Sequence, residues 1–147
     1  MDETHKVSDK RGFLLYGAWF VSLIATLGSL YFSEIKGFIP CDLCWFQRIF
    51  MYLLVLILGI ATFQNDWKVA RYVLPLAVIG GSISVLHYME QKIPGFGGIR
   101  PCVSGVPCSS EYINWLGFIT IPFLAFVAFL LISVAMLILV MKKRANR

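Results

Sequence analysis

The chain has 147 residues, 13 Lys+Arg against 8 Asp+Glu, and 59% apolar residues, well above the roughly 45–50% of an ordinary soluble domain. A chain of this size still leaves about 30% of its unfolded-state surface exposed after folding, so a water-soluble core has no room for so many large apolar side chains, and lipid is the matching solvent. The formal charge of +5 does not read as a nucleic-acid surface, because the cations stand at the edges of apolar runs instead of clustering among polar residues.

Crossing a hydrocarbon layer takes about 20 apolar residues in a helix, and four runs qualify: 12–33, 45–65, 70–89 and 113–141. The first follows Lys10 and Arg11 in the manner of a secretory leader. Its apolar core is longer than the roughly 7–15 residues of such a leader, however, and no small-residue cleavage site closes it, so it reads as a retained anchor. After the first run comes an outer segment, 34–44, holding Cys41 and Cys44. The second run leads into a short connection, Gln64 to Arg71, and the third ends in a second outer segment, 90–112. That segment is punctuated by Pro94, Gly95, Gly97, Gly98, Pro101, Gly105 and Pro107, which favours turns over a packed module. Glu90 and Glu111 read as solvated loop charges at its ends. The fourth run contains Pro122, a candidate kink, and closes on the basic tail Lys142 to Arg147, a topology anchor suited to anionic lipid. Trp45 with Phe46, and Tyr112 with Trp115, fit the aromatic belts of a membrane interface.

Basic residues accumulate on the cytoplasmic side of membrane proteins. Lys6, Lys10, Arg11, Lys68, Arg71, Lys142, Lys143, Arg144 and Arg147 fall on one side, and Lys36, Arg48, Lys92 and Arg100 on the other. The expected architecture is therefore an all-α integral membrane protein, a four-helix transmembrane bundle in one domain over 1–147, with both termini cytoplasmic and all four cysteines outside. There is no internal repeat or low-complexity tract.

The first cysteine pair reads Pro40-Cys41-Asp42-Leu43-Cys44 and runs straight into Trp45-Phe46-Gln47-Arg48. Free amide N–H groups and the positive dipole end of a helix start favour a thiolate there, and Cys44 lies nearer the helix body. Gln47 and Arg48, three and four residues on, share its helix face. Met51 falls on that face too and reads as packing. The second pair, Cys102-Val-Ser-Gly-Val-Pro-Cys108, has five residues between its sulfurs. In an oxidising compartment its default state is a disulfide, and in an exposed loop such a disulfide is open to attack by a foreign thiolate.

Together the pairs suggest a two-station relay, carrying electrons from an external dithiol to the loop pair and on to Cys41 and Cys44. The next acceptor must be lipid-soluble. Trp45 follows Cys44 where a haem-attachment motif needs His, and no dinucleotide fingerprint is present, so a quinone fits best. Arg48 suits it as a hydrogen-bond donor to a quinone oxygen, and His87, at the outer end of the third span, is a second candidate contact because ionisable groups within spans are functional suspects. Gln47 is a third.

The run Pro40-Cys41-Asp42-Leu43-Cys44-Trp45-Phe46-Gln47-Arg48, ahead of an apolar helix, resembles the P-C-x-L-C-x-x-x-R signature of the disulfide bond formation protein B (DsbB) family. Four spans with a second cysteine pair before the fourth extend the likeness over nearly the whole chain. The short loop pair and Trp115-Leu116-Gly117-Phe118-Ile119-Thr120-Ile121-Pro122 look most like its compact Bacillus-type, BdbC-like branch. The resemblance implies a multi-pass protein of a bacterial cell membrane, its active cysteines extracytoplasmic, that reoxidises a thioredoxin-fold thiol oxidase and reduces a quinone, menaquinone or ubiquinone. By the same likeness Cys102 forms the mixed disulfide with the partner, Cys108 exchanges with Cys41, and Cys44 reduces the quinone. Members with longer outer loops space the second pair more widely, so their loop movements do not transfer to this chain.

Other readings stand beside this one. Four thiolates can hold zinc, but structural sites use two knuckles of two to four residues, which the second pair exceeds, so no metal is expected. The cysteines can be two static disulfides in a non-catalytic scaffold. A vitamin K epoxide reductase relative also joins four helices to a loop pair and a Cys-x-x-Cys, but in that family the active pair comes after the loop pair, the reverse of the order here. For Arg48 the plain alternative is snorkelling to headgroups, for His87 an interfacial position, and for Gln47 a hydrogen bond to a neighbouring helix.

Overall fold

The structure, a computed structural model, describes residues 2–37, 39, 42–93 and 120–145, with side chains from residue 10 onward. Four long helices make up the described residues: α1 (Asp2–Leu30), extended by a π-helical turn over Tyr31–Ile35, α2 (Asp42–Gln64), α3 (Ala70–Lys92) and α4 (Ile121–Ala145). With their adjoining turns, the four helices supply stretches long and apolar enough to cross a membrane: Lys10–Ile35, Asp42–Gln64, Trp67–Lys92 and Ile121–Ala145. The protein is an all-α membrane bundle. Cys41, Cys102, Cys108, Glu111, Tyr112, Trp115 and the 113–119 part of the expected fourth run lie outside the described residues.

The helix ends follow from local chemistry. α2 begins at Asp42, ahead of the apolar run, because a carboxylate suits the positive end of a helix. It stops where Asn65 adopts φ 52°, and the Asp66 amide then bonds back to the Ala61 carbonyl at 2.9 Å, a left-handed helix cap. Asp66 accepts from the Lys68 amide at 3.0 Å and so starts the 3₁₀ turn Trp67–Val69 that leads into α3. At its far end α3 runs through Lys92, and the half-buried Glu90 belongs to its last turns instead of to a loop. The polar residues there do not interrupt the backbone ladder, since the Ile93 amide still reaches the Met89 carbonyl at 2.9 Å. The helix gives way at Ile93, which is extended (φ −105°, ψ 111°), as the residue before a proline must usually be. Pro122 does not kink a span. It stands in the first turn of α4, where a missing amide costs nothing. The proline inside a helix is Pro75 of α3, whose ring removes the N–H that would reach the Arg71 carbonyl.

The helices pack in a ring, α1 on α2, α2 on α3, α3 on α4 and α4 back on α1. One end is tied by Trp67, with the Arg11 guanidinium 4.9 Å and the Lys143 ammonium 5.3 Å from its ring centre, cation–π contacts that join the α2–α3 turn to α1 and α4. Inward-facing positions recur at intervals of three and four: Leu43, Gln47, Met51, Leu54 and Leu58 on α2, and Ala70, Val73, Ala77, Gly80, Ser84 and His87 on α3. Large apolar groups such as Phe13, Phe20, Leu56, Ile60 and Phe63 point outward, while Ser22, Gln47, Thr62, Ser84, His87 and Thr120 are buried. An apolar outside around an interior that is itself mainly apolar, with Leu54, Leu58, Phe129 and Ile132 fully buried, is what a lipid solvent selects, because close packing takes the place of the hydrophobic drive between helices.

Gly80 shows how tight that packing is, since a Cβ at this position would overlap the Phe129 ring. Phe129 is itself fully buried. Gly80→Ala is expected to destabilise the bundle by about 1–3 kcal/mol, read as a lower unfolding midpoint in detergent or lipid. A midpoint equal to wild type contradicts this packing.

Candidate functional site

Cys44 is the third residue of α2 and half-buried. The preceding Leu43 is buried and packs against Cys44 and Ile83 of α3, which holds the start of α2 against its neighbour. Cys44, Gln47, Arg48 and Met51 lie on one face, as their i, i+3, i+4 and i+7 spacing requires.

Across from this face stands His87 of α3, 1% exposed. Its Nδ1 is 3.9 Å from the Cys44 sulfur and 3.2 Å from Nε2 of Gln47, itself buried. An amide N–H facing Nδ1 favours the ring tautomer protonated on Nε2. The Gln47 amide and the His87 ring thereby pair a donor with an acceptor across α2 and α3, which lowers the cost of burying the two polar side chains.

Arg48 turns the other way, towards α1. Its Nε donates to the Ser29 hydroxyl and its Nη2 to the Ser29 carbonyl, both at 2.8 Å. Its guanidinium carbon lies 5.7 Å from the centre of the Trp45 ring, while Trp45 and Phe46 face outward. Ser29 lies in α1 just before the π-helical segment that carries the helix on to Ile35, and presents both a hydroxyl and a carbonyl to the cation. Arg48 is thus held by a neighbouring helix instead of extending to the surface, and among the described residues no carboxylate accompanies it.

These side chains border a cavity of about 410 Å³ between α1, α2 and α4. Cys44, Gln47, Arg48, Met51 and Tyr52 form its α2 wall; Val21, Ala25 and Ser29 contribute from α1, Phe32 from its π-helical extension, and Leu124, Ala128 and Phe129 from α4. The arrangement sets a sulfur and a guanidinium at the edge of an apolar chamber of the size that takes a small organic ligand. Of the cofactor contacts expected from sequence, Arg48 and Gln47 line the cavity. His87 does not; it stands behind Cys44 and Gln47, one layer removed. Met51 both packs in the core and lines the wall.

Sequence reasoning missed the α1 and α4 walls, Ser29 above all. A signal was present: Ser22, Thr26, Ser29 and Ser33 recur at helical spacing within an otherwise apolar run, marking one polar stripe on α1. Two of them, Thr26 and Ser29, border the cavity.

The family described as "Disulfide bond formation protein DsbB" matches residues 10–139. The chain is 70% identical over 125 residues to "Disulfide bond formation protein C" of Bacillus subtilis (strain 168), covering 85% of this chain and 91% of that protein. It is 50% identical over 130 residues to "Probable disulfide formation protein C" of Halalkalibacterium halodurans, covering 88% and 95%. To "Probable disulfide formation protein" of Coxiella burnetii (strain RSA 493 / Nine Mile phase I) it is 49% identical over 125 residues, covering 84% of each. No solved structure matches.

Proposed function

Because the chain belongs to the DsbB family, and so is a multi-pass membrane disulfide oxidoreductase, we propose that it reoxidises an extracytoplasmic thioredoxin-fold thiol oxidase and passes the electrons to a membrane quinone. The observation that carries this reading is the shared cavity wall, where Cys44, Gln47 and Arg48 meet an apolar chamber of about 410 Å³.

The residues fit a quinone on two counts. The chamber is lined mostly by aliphatic and aromatic side chains, as a lipid-soluble ring requires. A guanidinium has five N–H donors, of which Ser29 takes two, and its charge faces no carboxylate among the described residues. A cation held this way is poised for an acceptor that gains negative charge. A bound quinone supplies a two-electron, two-proton acceptor, menaquinone or ubiquinone.

The protein's own part is sulfur exchange. The partner's dithiol attacks the Cys102–Cys108 disulfide through a mixed disulfide at Cys102, and the partner leaves oxidised as both loop thiols are reduced. Cys108 then exchanges with the Cys41–Cys44 disulfide, re-forming the loop bond and leaving Cys41 and Cys44 as thiols. Re-forming the Cys41–Cys44 bond releases two electrons and two protons at the cavity edge, where Cys44 places its sulfur and Arg48 its donors. Both cysteine pairs act on the extracytoplasmic face, with both termini in the cytoplasm and the oxidised partner returning to exported proteins.

Sidedness is therefore a sharp test. In sealed right-side-out vesicles a membrane-impermeant maleimide is expected to label the reduced Cys102 and Cys108, and a cysteine placed at the C-terminus only after permeabilisation. Labelling of the loop pair from the opposite side contradicts the relay. Purified protein given a reduced thioredoxin-fold donor is expected to oxidise it over repeated turnovers only with quinone present; a folded, quinone-supplied protein that oxidises no donor overturns the reading.

A further inference from the structure

Arg48 bears the charge at the cavity, but its own place is set from another helix. The two contacts from Ser29 are to different atoms of one residue: the hydroxyl takes Nε and the carbonyl takes Nη2, both at 2.8 Å. A guanidinium is a rigid planar fork, so fixing two of its nitrogens fixes the direction of the remaining donors. Ser29 and Arg48 both border the cavity, and no carboxylate among the described residues shares the task. A carboxylate in Ser29's place would hold the fork more firmly but would neutralise it. A neutral acceptor pair orients the guanidinium and leaves its charge for the ligand.

We propose that Ser29 is a positioning residue for the quinone step, acting through Arg48 to aim its unshared N–H groups into the cavity. This rests on the quinone reading above. In this role Ser29 acts through Arg48, so its removal acts on quinone use and not on thiol exchange. The carbonyl contact survives side-chain substitution, which limits the loss to the hydroxyl's share.

The test uses full-length protein in lipid nanodiscs, with a short-chain menaquinone as the probe and a reduced thioredoxin-fold donor. Two quantities are read: the menaquinone concentration giving half-maximal turnover, and the rate at which dithiothreitol reduces the oxidised protein without quinone. Ser29→Ala is expected to raise the first about tenfold, the scale of one hydrogen bond to a charged group, and to leave the second unchanged. Ser29→Thr retains the hydroxyl and is expected to stay within about twofold of wild type, whereas Ser29→Val, of the same shape without it, behaves as Ser29→Ala. In an Arg48→Lys background, where the fork is already lost, Ser29→Ala is expected to add less than about a further twofold.

Half-saturation unmoved by Ser29→Ala and Ser29→Val, or a full additional loss in the Arg48→Lys background, overturns the proposal. So does an equal fall in dithiothreitol exchange, which marks a merely structural role. Quinone reduction that depends on Arg48 but ignores Ser29 overturns this inference alone. A folded wild type that reduces no quinone removes both it and the functional reading.

Discussion

Cys44→Ser is expected to lower quinone reduction by about a thousandfold or more while leaving a folded bundle, because a hydroxyl can neither carry the electron pair nor close the Cys41–Cys44 bond. The substitution is small, at a half-buried position in the first turn of α2, so the unfolding midpoint should move little. Exchange between the partner and the loop pair is expected to survive for a single turnover, since Cys102 and Cys108 remain. Reduced loop thiols should then accumulate, countable by alkylation and mass. Multiple turnovers of donor by the variant, with quinone consumed, would mean that the sulfur at the cavity edge is not the exit point for electrons.

Arg48→Ala carries the second large effect. Removing a preorganised cationic donor from a reaction centre typically costs about a hundredfold or more, and a loss of that order is expected in kcat/KM for quinone. Single-turnover reduction by dithiothreitol should be unaffected. Some stability is also expected to go, about 1–3 kcal/mol, because the Ser29 hydroxyl and carbonyl lose their partner. Arg48→Lys keeps the charge but not the fork that spans Nε and Nη2, so it should fall between wild type and Arg48→Ala. If thiol exchange and quinone reduction fall together in Arg48→Ala, the residue is holding the fold and not serving the cavity.

How much of this was legible in the sequence depends on the range of each interaction. The four spans could be read because lipid imposes a length requirement that any window of the chain reveals. The shared face of Cys44, Gln47, Arg48 and Met51 could be read because helical spacing is a local property. The contacts that complete the site are not local. Ser29 meets Arg48 across 19 positions of chain, and His87 meets Gln47 across 40. Only the ring order of the helices brings them together. The same limit hides the surroundings of His87: its depth in the third span was visible, but not that it would stand beside Gln47 and Cys44 and outside the lining of this cavity. The limits of α3 show the converse. Glu90 looked like loop because it is charged, yet a helix continues through polar residues until something breaks the ladder, and here that signal is Pro94, already present in the sequence.

The polar residues of α1 carry a similar lesson. Ser22 donates to the Trp19 carbonyl at 2.7 Å, a contact confined to its own helix, whereas Ser29, seven positions on along the same stripe, receives a cation from α2. The spacing identifies the stripe. It does not say which serine faces an arginine, because that choice is made by the register of α1 against α2.

The most direct measurement counts electrons. Under anaerobic conditions, with purified protein in lipid, a reduced thioredoxin-fold donor and excess menaquinone, one quinol is expected for each donor disulfide formed, and none with Cys44→Ser. Donor disulfides accumulating over many turnovers without quinol, or quinol appearing at an equal rate in the Cys44→Ser protein, would contradict the transfer of electrons from sulfur at the membrane edge to a carrier held in the α1–α2–α4 cavity.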